Sequence, residues 1–114
     1  MNPEEAIMER VMVFLNKLVA KDLDGSMAAV ADDFEHYEFR TKAGLRAFLE
    51  DAIATGYLDD AEIQTDDTEV KIDGDKAIVY PVDVEGIFGT VTLELVGEMR
   101  DGVYMLTTID AFGI

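Results

Sequence analysis

Apolar residues recur at Ile7, Met8, Val11, Met12, Phe14, Leu15, Leu18 and Val19. This is the i, i+3, i+4, i+7 spacing of a helix that buries one face. Asn2-Pro3-Glu4-Glu5 stands in front of it as a start signal: a capping side chain, a proline at the first helical position and acids at the positive end of the dipole. Together they predict a first helix over about residues 3–21. Asp22-Leu23-Asp24-Gly25 breaks it, and Asp24 is expected to cap a short second helix over about residues 25–31, with Met27 and Val30 inward. Residues 34–40 then read as a strand. Period two places Phe34, His36 and Glu38 on one face and Glu35, Tyr37 and Phe39 on the other. Thr41 caps a third helix with a stripe of Leu45, Phe48, Leu49, Ala52 and Ile53, and Gly56 is its stop.

From Ala61 the period becomes two. Residues 61–73 form one expected strand with a bulge near Asp66-Asp67, and Asp73-Gly74-Asp75 is a tight turn. The next strand, 77–85, would show Ile78, Tyr80, Val82 and Val84 on one face, with Pro81 at a bulge or facing away from a partner. Gly86-Ile87-Phe88-Gly89 turns into a strand over 90–100, and Asp101-Gly102 into a last one over 103–112. That last strand carries Val103, Met105 and Ile109 on one side and Tyr104, Leu106 and Phe112 on the other. A strand apolar on both sides needs a cover on both: the helices on one, a second copy of the chain on the other.

The expected order is α-α-β-α-β-β-β-β, an α+β fold with three N-terminal-half helices on one curved antiparallel sheet. A bent sheet with a helix across its mouth makes a cone, and such hollows are usual ligand sites. The length of 114 residues predicts a single domain spanning 1–114, large enough for one core. Nine basic against 25 acidic residues give a net charge of −16, which repels phosphate backbones and anionic lipid and argues against nucleic-acid and membrane roles. There is no cysteine, so thiol nucleophiles, thiolate metal sites and disulfides are excluded. The start of the chain is acidic where a signal peptide would be basic, which predicts a cytoplasmic protein. One histidine among scattered acids offers no recognised metal spacing, and no glycine-rich phosphate loop or dinucleotide fingerprint is present, so neither a metal nor another cofactor is expected.

Four stretches carry a resemblance. They are the helix pair joined by Asp-Leu-Asp-Gly, the Ala-Asp-Asp-Phe-Glu-His-Tyr segment, the Thr-Lys-Ala-Gly-Leu-Arg-Ala-Phe-Leu helix and the closing Asp-Gly-Val-Tyr-Met-Leu hairpin. In order and spacing the chain resembles the nuclear transport factor 2-like superfamily, nearest its SnoaL-like polyketide-cyclase and ketosteroid-isomerase branches. The resemblance spans nearly the whole chain. It implies a cone with a pocket between helices and sheet, and a homodimer through the outer sheet face. It does not fix an activity, because the fold serves both enzymes and non-catalytic binders.

Laid on the isomerase branch without gaps, the general base falls on Glu38. A carboxylate at the rim of an apolar cavity suits proton transfer near neutral pH. His36, expected on the same strand face, is a second acid/base candidate or a donor to a ligand carbonyl. The position of the helix donor that would hold an enolate oxygen falls on Phe14, which cannot donate, and the second acid falls on Glu94, expected to face away from the core. Tyr80 and Tyr104 are expected to offer hydroxyls to a pocket, and Asp110 to line it near the end of the last strand. Two functions remain open at this point. One is a small-molecule site for an apolar or carbonyl-containing ligand, with a cofactor-free isomerase or lyase as its catalytic form. The other is a non-catalytic dimeric binding or protein-interaction module.

Overall fold

A computed structural model describes residues 2–113. Asn2 opens the first helix as its sequence requires: its side chain accepts the Glu5 amide at 2.8 Å, and Pro3 occupies the first turn. The resulting helix α1, Pro3–Val19, buries Ile7, Val11, Phe14, Leu15 and Leu18. The second cap lies two residues earlier than expected. Asp22, not Asp24, accepts the Gly25 amide at 2.9 Å, so α2 is Leu23–Met27. Asp24 is left free to pair with Arg46 of the third helix. Thr41 accepts the Gly44 amide at 3.2 Å and starts α3, Lys42–Ala54. Of its stripe, Leu45 and Leu49 are buried, while Phe48 stays half exposed.

The sheet is antiparallel throughout and built around β3, Lys76–Gly86. On one side of β3 lie two short strands, β1 (Glu62–Gln64) and β2 (Glu69–Asp73). The expected single strand 61–73 is thus divided by the turn at Asp66-Asp67, where a bulge was predicted. On the other side lies β4, Gly89–Arg100, and beyond it β5, Val103–Phe112. Tight turns at Gly74-Asp75, from β2 to β3, and at Asp101-Gly102, from β4 to β5, make two of the connections; both Asp101 and Gly102 take left-handed backbone, as a two-residue hairpin turn demands.

Two register shifts change which residues face inward. In β3 the pairing slips between Val79 and Val82, around Pro81, whose peptide bond with Tyr80 is cis. The buried set is therefore Ala77, Val79, Val82 and Val84, and the expected alternation through Ile78 and Tyr80 fails. In β5 the pairing slips between Val96 and Gly97, where Thr107 is the extra residue. Tyr104, Leu106 and Ile109 all join the core as a result, and Phe112 is exposed. Large apolar groups still stand on both sides of the last strand: Tyr104, Leu106 and Ile109 inward, and Val103, Met105 and Phe112 outward, where they share the face with Thr108 and Asp110.

The expected strand 34–40 is also corrected. Residues 29–35 run alongside β5 without forming a strand of their own. Leu106 donates its amide to the Ala29 carbonyl (2.9 Å), Ala31 donates to Leu106 (2.9 Å) and Glu35 to Thr107 (3.1 Å). The observed order is α-α-α-β-β-β-β-β, with the α+β class and the curved helix-on-sheet arrangement as expected.

The hollow of the sheet is full. Ile7, Val11, Phe14, Leu15, Phe34, Val79, Val82, Leu95 and Leu106 are each at most 2% exposed. The Ile7 side chain of α1 presses so closely on β4 that a methyl group added at Gly97 would collide with its Cδ1. Gly97→Ala is expected to cost about 1–3 kcal/mol by overpacking. Ile7→Val alone is expected to cost about 0.5–1.5 kcal/mol. Urea denaturation of the double variant should show less loss than the sum of the two, because valine lacks the colliding carbon; strict additivity would contradict this contact.

Candidate functional site

Phe34, 1% exposed, fixes the chain where it leaves the edge of β5. Two residues later a small hairpin forms. Arg40 donates its amide to the His36 carbonyl at 2.7 Å, and His36 donates to the Arg40 carbonyl at 3.4 Å. Arg40 closes it in left-handed backbone, φ 70°, the usual exit from a three-residue turn.

The His36 ring is the centre of this hairpin. Its side chain is only 5% exposed. The Glu38 amide donates to Nδ1 at 3.1 Å, which places the ring proton on Nε2. Nε2–H then donates to Oδ1 of Asp110 on β5 at 2.8 Å. Tyr37 stacks on the ring with centroids 4.4 Å apart, Phe39 does so at 4.7 Å, and Phe48 of α3 continues the series 4.8 Å from Phe39. Both ring nitrogens are engaged, and the imidazole rivets the hairpin to the sheet.

Beside this rivet lies an open cleft of about 530 Å³, lined by Glu35, His36, Tyr37, Arg40, Thr108 and Asp110. A smaller one of about 300 Å³ lies among Asp59, Asp60, Glu62 and Glu85 at the far end of β1 and β3. The larger cleft brings together two of the residues singled out in the sequence, His36 and Asp110. Glu38 does not share a face with His36, since no strand is there; its carboxylate is exposed at the hairpin tip. Phe14 and Tyr104 are packed in the core at 2% and 4% exposure, and neither reaches the cleft. Tyr80 is 44% exposed and meets Phe112 edge-on at 6.4 Å. Glu94 lies directly across from Asp110 in the β4–β5 ladder. Glu35, Tyr37, Arg40 and Thr108 line the cleft without having been singled out. The one sequence signal for them was their nearness to the lone histidine and to Asp110.

No family model and no curated protein matches the sequence. Solved structures do. A nuclear transport factor 2-like protein of unknown function from Pseudomonas putida superposes with a TM-score of 0.79 at 14% identity, over 97% of this chain and 87% of its own. The chain has the nuclear transport factor 2-like fold. A cystatin-like-fold protein of unknown function from Nostoc punctiforme gives a TM-score of 0.78 at 16% identity, covering 95% and 88% of the two chains. A candidate ketosteroid isomerase from Shewanella frigidimarina gives 0.74 at 19% identity, covering 90% and 91%.

In this version of the nuclear transport factor 2-like fold the cleft is negative. The phenol of Tyr37 is pushed above its ordinary value, first by hydrogen bonding to the Glu38 carboxylate, then by the charges of Glu38 and Asp110. Among the described residues no group of three or more acids or histidines has the geometry to hold a metal ion. No helix there is long and apolar enough to cross a membrane.

His36→Ala removes three hydrogen bonds, the longest from the Phe39 amide to Nδ1 at 3.5 Å, and the middle of the aromatic series; a loss of about 2–3 kcal/mol is expected in chemical denaturation. Glu38→Gln should stay within about 0.5 kcal/mol of the parent, as an exposed tip residue does. Equal effects would contradict the rivet. The Tyr37 shift has a definite sign. Its neutral form is favoured in the folded chain, so that contribution is complete below about pH 10 and fades as pH rises through the folded value. In an ultraviolet titration, the late phenol should vanish in Tyr37→Phe and move earlier in Glu38→Gln.

Proposed function

We propose that this chain is a non-catalytic module that binds a small polar ligand at the cleft between the 36–40 hairpin and the end of β5. The observation that carries this reading is the filled cone. A proton-transfer enzyme of the isomerase kind needs an apolar hollow that takes up its substrate and raises the pKa of its base. Here that volume is occupied by Phe14, Val82, Leu95 and their neighbours.

The chemistry outside the core agrees. The Glu38 side chain is exposed at the hairpin tip, outside any apolar hollow, and His36 has no free nitrogen with which to relay a proton. The cleft offers charged and hydrogen-bonding groups, the kind that fix a polar ligand's orientation.

Two-dimensional amide NMR with a library of polar fragments tests the reading. Shifts are expected to cluster at residues 35–40 and 108–110, and to leave Phe14, Val82 and Leu95 unmoved. The contrary result is a cyclic ketone or enone that perturbs those core residues. Equally contrary would be exchange of such a ketone's α-protons with deuterium oxide that the parent accelerates and Glu38→Gln does not.

A further inference from the structure

We propose that the cleft recognises a small zwitterion, a molecule with an ammonium and a carboxylate a few bonds apart, as in an α-amino acid. This rests on the cleft being the ligand site. The first pole is Arg40. Among the described residues it forms no ion pair, like Arg10 of α1 but unlike Arg46, paired with Asp24, and Arg100, paired with Asp33 and Glu98; of the two unpaired arginines Arg40 is the one that lines the cleft. A free arginine in a chain with 25 acidic residues, and in a cleft that also holds Glu35 and Asp110, is not short of carboxylates nearby. None of them lies within ion-pair distance of its guanidinium. Its planar fork is therefore open to a carboxylate supplied from outside, which it can meet with two parallel hydrogen bonds.

The second pole is Asp110. His36 takes only Oδ1; Oδ2 has no hydrogen-bond partner among the described residues, and the side chain is 32% exposed. Glu94 sits directly opposite it in the ladder. Like charges across a strand pair repel, and an ammonium beside them removes the repulsion. Glu35 adds a third negative group to the same cleft. Tyr37, 80% exposed and backed by the His36 ring, supplies a flat apolar wall for the rest of the ligand.

Net charge selects between ligand classes. The field of a chain at −16 opposes a simple carboxylic acid, which would also leave Asp110 and Glu94 uncompensated. A simple amine would leave Arg40 uncompensated. A zwitterion carries no net charge through that field and satisfies both poles at once.

Isothermal titration of the parent chain with the common L-amino acids, one at a time, tests this. For each one that binds, its amide lacks the carboxylate and its 2-hydroxy analogue lacks the ammonium. At least one amino acid is expected to bind, with both analogues weaker by about tenfold or more. Arg40→Gln should weaken the amino acid by that factor and leave its amide unchanged. Asp110→Asn keeps an oxygen for His36, and together with Glu94→Gln it should weaken the amino acid and leave the hydroxy acid unchanged. An amide or hydroxy acid that binds as well as its parent overturns the proposal, and so does the failure of every amino acid to bind. If polar fragments still move the cleft resonances in that case, only the ligand class is wrong. If no ligand maps to the cleft, the binding-site reading falls with it.

Discussion

The outer edge of β5 is the constraint on which the molecule turns. A terminal strand carries a row of amides and carbonyls with no neighbour, and an uncovered row invites another chain to pair with it. Here the polypeptide covers its own edge. Ala29 and Ala31 are small and almost wholly buried, so the backbone can lie against Leu106 and exchange hydrogen bonds with it. Phe34 then sinks into the core and fixes the register. Once that is set, residues 36–40 can only fall at the end of the sheet, beside Thr108 and Asp110. The position of the cleft follows from how the edge is protected.

The second determinant is how α1 fills the hollow with its side chains. Gly97 lets Ile7 approach β4, and the two register shifts turn Val82 and Ile109 inward, where they add to the filling. With the hollow occupied, any recognition moves to the rim. The same architecture can enclose a substrate or exclude one, and the difference lies in a few side chains of the interior rather than in topology.

Much of this was legible in the sequence. The caps at Asn2 and Thr41, the helical stripes, the hairpins at Asp73-Gly74-Asp75 and Asp101-Gly102 and the α+β class all follow from local pattern, and local pattern is what a sequence displays. The errors have a common physical source. Residues 34–40 alternate like a strand because a segment pressed along a sheet edge and a tight hairpin also alternate inward and outward. Pairing through backbone atoms is invisible in side-chain pattern, so the split of 61–73 and the slips at Pro81 and Thr107 could be suspected at most from a proline or a pair of acids. The site was half legible for the same reason. His36 and Asp110 each stood out, but their contact spans 74 positions and depends on the covered edge. Arg40 gave no signal beyond its nearness to the lone histidine, since its lack of an acidic partner exists only in three dimensions.

The division between a closed core and an outlying cleft has an evolutionary side. Side chains at 35, 37, 40 and 108 stand at the rim, and none of them belongs to the buried cluster. Replacing them opens no void and breaks no helix. Such a scaffold is free to drift in ligand preference while its thermodynamic stability stays level, so descendants of one ancestor could come to read different molecules with nearly superimposable backbones.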